Sequence, residues 1–327
     1  MKKNKSISYA RGIYEAYDYL LANYPEFVVI GQGLWSPWYV GDTMTGLEKK
    51  YGKDRVIDSP VSENATTGAA LGAALTGLRP MVVHPRMDFM VLATDAIVNQ
   101  SAKWQSMLGG NKKIPLTIRG IINRGGEQGA QHSQALHSWY AHVPGLRVIL
   151  PSSPLDARDL LIASVLSDDP VIYIDDRWCY DYKEDYRKIR ELSIESLKPK
   201  RISKGSDLTL VGSGYSTKIC IKIKDRLAAK QINADTFDLR IINPLDITSI
   251  IKSVKNTGNL FVIDGGWQSC SIGSEIIASV AEKIESSHII YHRFNILNSP
   301  APSSLRLEKI YYHDILKIYK KILDKLK

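Results

Sequence analysis

The feature that most constrains this chain is a repeat of short apolar runs separated by helical patterns through its first two hundred residues. PEFVVIGQG, RVIDSP, RPMVVHP, IPLTIRG, LRVILPS and PVIYIDD each read as a buried strand ending in turn residues. Between them lie helix candidates: YARGIYEAYDYLLANY, the Gly/Ala segment from Thr66 to Leu78, FMVLATDAIVNQSAKWQSM and PLDARDLLIASVLSD. Strands that feed helices and return parallel need helices on both faces of the sheet, so the pattern predicts an α/β fold with functional groups at the strand C-termini.

Around KEDYRKIRELSIESLKPKRISKGSD the pattern gives way to dense mixed charge, which reads as a surface connector over 191–205. Alternation then resumes with strands DLTLVGSG, ADTFDLR, NLFVIDGG and HIIYHRF, and with helices STKICIKIKDRLAAKQ, ITSIIKSVKN and SEIIASVAEKI. The expectation is a parallel-sheet domain over 1–190 and a smaller α/β domain over 206–327. With 327 residues, 44% of them hydrophobic, the chain is long enough for two cores.

The 43 Lys and Arg exceed the 34 Asp and Glu by nine. That surplus suits a nucleic acid, an anionic membrane, an acidic protein or a phosphorylated small molecule. No basic stripe carries interleaved aromatics, so no nucleic-acid partner is expected, and the terminal clusters MKKNK and KIYKKILDKLK read as solvated. ISYARGIYEAYDYL offers no apolar signal core, and TTGAALGAALTGLRPMVV is broken by Arg79 and Pro80. The expectation is therefore a cytoplasmic protein with no membrane span. Cys179, Cys220 and Cys270 form no CxxC pair, which indicates neither a disulfide scaffold nor a zinc site.

Several residues could carry chemistry. Gly212-Ser213-Gly214 sits between a strand and a helix, with Asp235 and Asp238 about twenty residues on. The dinucleotide fingerprint is incomplete, however, because Thr217 stands where its third glycine belongs, and a plain strand-turn-helix explains the glycines. His132, His137 and His142 recur every five residues, which does not align them on one helix face for a shared metal. His132 stands out because GGEQGAQHSQ is a Gly-rich loop after a strand. Ser62 and Glu63 precede a helix whose Gly68, Ala69, Gly72 and Ala73 are small enough for another backbone to approach closely. Glu63 is then either a helix N-terminal cap or a functional acid screened from water.

Together KYGKDRVIDSPVSE, GAALGAALTGLRP, DAIVNQSAK, GAQHSQ with WYAHVPGLRVILPSSP, DDPVIYID, INPLD and IDGGW resemble the beta subunits of thiamine-diphosphate-dependent 2-oxo acid dehydrogenases, relatives of the C-terminal two-thirds of transketolase. The resemblance covers nearly the whole chain. It implies a transketolase-like pyrimidine-binding domain followed by a transketolase C-terminal-like domain. It also implies a partner alpha subunit that holds the diphosphate and Mg2+ through a GDG-type motif. This sequence has no such motif with its following Asn, and Asp264-Gly265-Gly266 matches the second-domain motif of the beta chains instead. The resemblance therefore implies half a cofactor site, completed in a heterotetramer of two alpha and two beta chains.

By the same resemblance Glu63 hydrogen-bonds the aminopyrimidine nitrogen, so that the exocyclic imine can take the thiazolium proton. Phe89 packs against the pyrimidine, and His132 handles substrate or intermediate. Backbone carbonyls of Leu116, Ser164, Ser167 and Asp169 match a structural potassium site found in some beta chains. Departures from the family bear on the substrate. Asn64, Ala65, Thr66 and Thr67 make a more polar pocket, and His84 and Arg86 stand where the family tends to have Phe and Thr. Arg86 would suit a carboxylate, phosphate or sugar-phosphate substrate unless it pairs with a carboxylate of its own fold. The net charge of +9 and the Lys-rich C-terminus differ from beta chains that dock on a dihydrolipoyl acyltransferase core. The reading is thus a two-subunit enzyme acting on a 2-oxo acid or ketose. The alternatives are transketolase-like ketol transfer on a polar sugar outside any lipoyl complex, and a non-catalytic assembly subunit.

Overall fold

A computed structural model describes residues 6–284 and 288–327; the opening MKKNK lies outside them. In chain order the first strands are β1 (Ser6–Ser8), β2 (Phe27–Gly31), β3 (Val56–Asp58), β4 (Arg79–His84), β5 (Thr117–Ile122), β6 (Arg147–Leu150), β7 (Val171–Asp176) and β8 (Lys183–Asp185). They are followed by β9 (Lys200–Ser203), β10 (Leu208–Gly212), β11 (Ala234–Asp238), β12 (Arg240–Asn243), β13 (Asn259–Trp267) and β14 (Ile290–Ile296). The six apolar runs of the first domain are β2 to β7. In β4, β5, β6 and β7 the side chains are almost all buried on both faces because helices cover both, as in the 9–23 and 154–166 helices packed on one side, while β2 and the edge strand β3 are partly open.

The large sheet has the order β12-β6-β7-β5-β4-β2-β3 and is parallel except at β12, which runs antiparallel to β6. The smaller sheet has the order β14-β13-β10-β11-β9, with only β9 antiparallel. β1 and β8 form a separate antiparallel ribbon.

Three departures from the sequence reading follow from tertiary pairing. The segment 191–205 is not an extended connector throughout, since its Lys200–Ser203 stretch is the edge strand β9, paired to β11. β12 follows β11 by one residue yet joins the other sheet. Its Arg240 and Ile241 pair with Leu150 and Ile149, and Asn243 Nδ2 donates to the Leu146 carbonyl at 2.8 Å. The second domain thus closes an edge of the first.

The third departure is the helix expected over FMVLATDAIVNQSAKWQSM. It breaks into a 3₁₀ turn at Met87–Ala93, a π-helical stretch at Asp95–Ser101 and one α-helical turn or more at Ala102–Met107. Ser101 Oγ donates to the Ala96 carbonyl, five residues back, at 2.7 Å, in step with the wider winding. The irregular backbone begins in the turn that carries Phe89.

Candidate active site

The C-terminal ends of β2, β3, β4 and β5 converge on one edge of the large sheet, where a parallel α/β fold displays its chemistry. There a cleft of about 360 Å³ is lined by Gln32, Trp38, Tyr39, Pro85, Arg86, Phe89 and His132. A smaller hollow lined by Gln32, Ser59, Ser62, Glu63, Thr66, His84 and Pro85 adjoins it, with Gln32 and Pro85 common to both. The structure therefore brings Glu63, Phe89, His132 and Arg86 to one place from three separate segments.

Each side chain is positioned by its local chain. Glu63 opens the 63–75 helix, in the first turn where the helix dipole favours a carboxylate. Ser62 makes no side-chain cap bond, and Thr66 Oγ1 donates to the Ser62 carbonyl at 3.0 Å. Among the described residues the Glu63 carboxylate has no hydrogen-bond or ion-pair partner. It is half-buried in the single chain, and the small-residue face beside it is open: a Cβ at Gly68 or Gly72 would meet nothing within 4 Å.

The Phe89 ring stands edge-on to the His132 imidazole, centroids 5.3 Å apart and planes at 85°. Asp88 fixes this pair. Its Oδ1 accepts from both Gln134 N and Gln134 Nε2 at 3.0 Å, tying the turn that carries Phe89 to the loop that carries His132. Asp88 is 5% exposed and its Oδ2 has no partner, so burial pushes its pKa up against the lowering effect of the Gln134 bonds. The histidine loop turns on left-handed Gly125, Gly126 and Gly129. It is also pinned from the second domain: Glu127 N donates to Glu308 Oε1 at 2.9 Å, and Leu305 N donates to Glu127 Oε1 at 2.9 Å.

Sequence reading missed the wall formed by Gln32, Trp38 and Tyr39. Asp58 Oδ1 accepts from Gly33 N at 2.6 Å and Leu34 N at 3.1 Å, which anchors the start of that loop. Gly33 has φ +69°, and a Cβ there would lie 2.4 Å from the Tyr39 ring. Only a glycine lets the ring close over the turn. Arg177 Nη2 donates to the carbonyls of Trp38 and Tyr39 at 3.0 and 2.7 Å and holds the far end.

His84 takes a different place from Arg86. It is 2% exposed at the end of β4, with Nε2 3.4 Å from Thr67 Oγ1, and burial lowers its pKa to about 4. It is a neutral ring beneath the Glu63 hollow, so it offers no cation to a substrate. Arg86, in contrast, reaches the cleft.

Leu116, Ser164, Ser167 and Asp169 gather at the opposite, N-terminal edge of β5 and β7. The Leu116 carbonyl accepts from Val171 N at 2.9 Å, and the Ser164 carbonyl from Ser167 N at 3.3 Å. Arg79 Nη1 donates to the Ser167 carbonyl at 2.9 Å, while Arg79 Nη2 and Lys113 Nζ pair with Asp168 at 2.9 and 2.6 Å. Of the four carbonyls, the Ser167 one thus takes a cationic donor, and the neighbouring Asp168 carboxylate takes two cations. Asp235 and Asp238 are equally committed. Asp235 is bound by Ser253 and Arg201, and Asp238 by Ser152 and Thr217, so neither is free to serve as a ribose acceptor.

Comparison with known proteins places this geometry in context. The chain matches the transketolase pyrimidine-binding domain over residues 5–180 and the transketolase C-terminal domain over residues 198–318. It is 36% identical over 258 residues to the mitochondrial pyruvate dehydrogenase E1 component subunit beta of Dictyostelium discoideum, spanning 78% of this chain and 70% of that protein. It is 35% identical over 271 residues to the acetoin:2,6-dichlorophenolindophenol oxidoreductase subunit beta of Bacillus subtilis, spanning 81% and 78%. Against the pyruvate dehydrogenase E1 component subunit beta of Rickettsia bellii it is 35% identical over 283 residues, spanning 85% and 86%. Among solved structures, a split-gene transketolase described as an inactive beta4 tetramer superposes with a TM-score of 0.76 at 18% identity, covering 98% of each chain. The Campylobacter jejuni transketolase gives 0.74 at 14% identity, covering 98% of this chain and 47% of that one. These two show the shared fold.

Proposed function

Because this chain belongs to the family of beta subunits shared by pyruvate dehydrogenase E1 components and acetoin oxidoreductases, we propose that it is the beta chain of a two-chain, thiamine-diphosphate-dependent enzyme acting on a 2-oxo acid or a related ketone. The observation that carries the reading is the convergence of a partner-free carboxylate, an aromatic face and an imidazole at one strand edge of a chain with these relatives. The relatives favour this reading over ketol transfer and over a non-catalytic subunit.

The site fits the aminopyrimidine half of the cofactor. Phe89 offers a flat face, and Glu63 offers a carboxylate that none of the described residues occupies. Thiamine diphosphate, when bound, would supply nucleophilic carbon chemistry at a carbonyl and an electron sink. Glu63 would donate or accept a hydrogen bond at the ring nitrogen, and its helix N-terminus steadies the charge when the proton leaves. His132, held against Phe89, would move a proton at the substrate oxygen, a task that suits an imidazole because its two ring nitrogens can donate and accept. Trp38 and Tyr39, exposed in the single chain, would exclude water from the same space once a partner chain covers them.

The diphosphate and Mg2+ fall to a partner alpha chain in this proposal, with two alpha and two beta chains as the assembly. The open Gly68 and Gly72 face of the 63–75 helix supports pairing of the beta chains there. A potassium ion on the carbonyls of Leu116, Ser164, Ser167 and Asp169 stays part of the proposal and is read by the dependence of thermal stability on K+ against Na+; Arg79 donates to one of the four, the Ser167 carbonyl. No described helix is long and apolar enough to cross a membrane. A cytoplasmic location stays part of the proposal and is read by cell fractionation. The deciding experiment for the site is Glu63→Gln in the co-expressed two-chain complex. Turnover falls by at least about a hundredfold while the variant folds and assembles, and near-normal turnover overturns the assignment.

A further inference from the structure

We propose that Arg86 selects a substrate that carries a second anionic group, a carboxylate or a phosphate, on the end remote from its reacting carbonyl. This rests on the reading of the cleft as a carbonyl-addition site and adds the substrate class.

The guanidinium is held by neutral oxygens alone. Nη1 donates to the Pro85 carbonyl at 2.9 Å, and Nη2 faces Gln128 Oε1 at 3.4 Å. With the Asn123 amide oxygen turned toward it, Nε and Nη2 donate there at 2.9 and 3.0 Å. Among the described residues no carboxylate lies within ion-pair distance of Arg86.

Asp88 is the nearby acid, and its one hydrogen-bonded oxygen is taken by Gln134. Arg177 is a second cation in the same field, and it too lacks a carboxylate within that distance among the described residues. The side chain is therefore oriented and half-buried, and its charge is left uncompensated at the cleft wall. A structural arginine in that state gains nothing from its charge, because burial without an opposite charge is unfavourable. Among the described residues one Nη1 N–H is left without an acceptor, and that donor, with the uncompensated charge, suits an oxygen of a carboxylate or phosphate seated beside Phe89 and His132. Gln128 belongs to the same loop as His132, so an anion seated on Arg86 fixes the distance from that anion to the reacting carbonyl.

The test uses the assembled two-chain enzyme loaded with thiamine diphosphate and Mg2+. For wild type, Arg86→Gln and Arg86→Lys, kcat/KM is measured with neutral-tailed 2-oxo acids (pyruvate, 2-oxobutanoate), a carboxylate-tailed one (2-oxoglutarate) and a phosphate-tailed one (3-phosphohydroxypyruvate). The ratio of anionic-tailed to neutral-tailed kcat/KM is expected to fall 10- to 100-fold in Arg86→Gln, as for loss of a charge-assisted hydrogen bond, and to recover in part in Arg86→Lys. The arm in which the drop is larger separates carboxylate from phosphate.

Glutarate and inorganic phosphate serve as non-reacting probes, and their inhibition constants should rise in parallel. An unchanged ratio with all three enzymes active overturns the inference and leaves the function standing. So does a rise in the cofactor dissociation constant in place of a substrate effect, which would put the guanidinium on the cofactor. Absence of turnover and of cofactor binding in the wild-type complex fails the underlying reading itself.

Discussion

Asp88→Asn and Asp88→Ala separate the two things one buried carboxyl does. Its Oδ1 takes both Gln134 donors, while its Oδ2 is buried without a partner. Burial holds the folded pKa above the ordinary carboxylate value. For a raised pKa, the stabilising share is present in full below the unfolded value near ~3.9 and is lost as pH rises through the folded value. At neutral pH the charge therefore costs stability.

Asparagine keeps the acceptor and removes the charge, so Asp88→Asn should lie within about 1 kcal/mol of wild type at pH 7, and the difference should shift in favour of wild type toward acid. Alanine strands two Gln134 donors and unties the His132 loop from Phe89. That should cost about 1–3 kcal/mol, and a displacement on the order of 1 Å at His132 should lower kcat by about a hundredfold. Thermal unfolding of the assembled enzyme from pH 5 to 8, with steady-state kinetics alongside, reads both effects. Equal damage from the two variants would refute the reasoning, because the charge and not the acceptor would then matter.

Two further outcomes test the frame that carries the site. Arg119 and Asp175 are fully buried and joined by a two-pronged ion pair at 2.8 and 2.9 Å, so Arg119→Met alone should destabilise by about 3–5 kcal/mol. Arg119→Met with Asp175→Leu should recover most of that loss in denaturant unfolding. Gly145 has φ +97°, and a Cβ there would sit 2.0 Å from the Ala102 carbonyl oxygen. Gly145→Ala should therefore lower stability by at least about 2 kcal/mol, measured as a drop in Tm.

The parallel strands were legible because burial on both faces writes continuous apolar runs such as VIYID, which survive any context. β12 was not, since Arg-Ile-Ile-Asn is short and its placement depends on a partner strand ninety residues earlier. The helix expected through Phe89 failed because periodicity records which residues are buried, and not that the turn at Asp88 is tied to Gln134 or that Ser101 bonds back five residues to Ala96.

At the site, Glu63, Phe89 and His132 stood out through resemblance, and the fold brings them together. The Trp38–Tyr39 wall left no signal, being an aperiodic loop held by Asp58 and Arg177 from elsewhere in the chain. His84 and Arg86 looked alike in sequence as two basic residues two positions apart. Only burial separates them, leaving one a neutral ring and the other a cation with no carboxylate in ion-pair distance among the described residues.

The central claim is that this chain holds the aminopyrimidine half of a shared cofactor site. Equilibrium binding of thiamine diphosphate with Mg2+, measured by calorimetry on the chain alone and on its complex with the co-purified alpha chain, tests it most directly. The account predicts weak or undetectable binding alone, stoichiometric binding in the complex, and a large loss of affinity in the complex carrying Phe89→Ala. Tight stoichiometric binding by the isolated chain, or binding in the complex that is indifferent to Phe89, would contradict it.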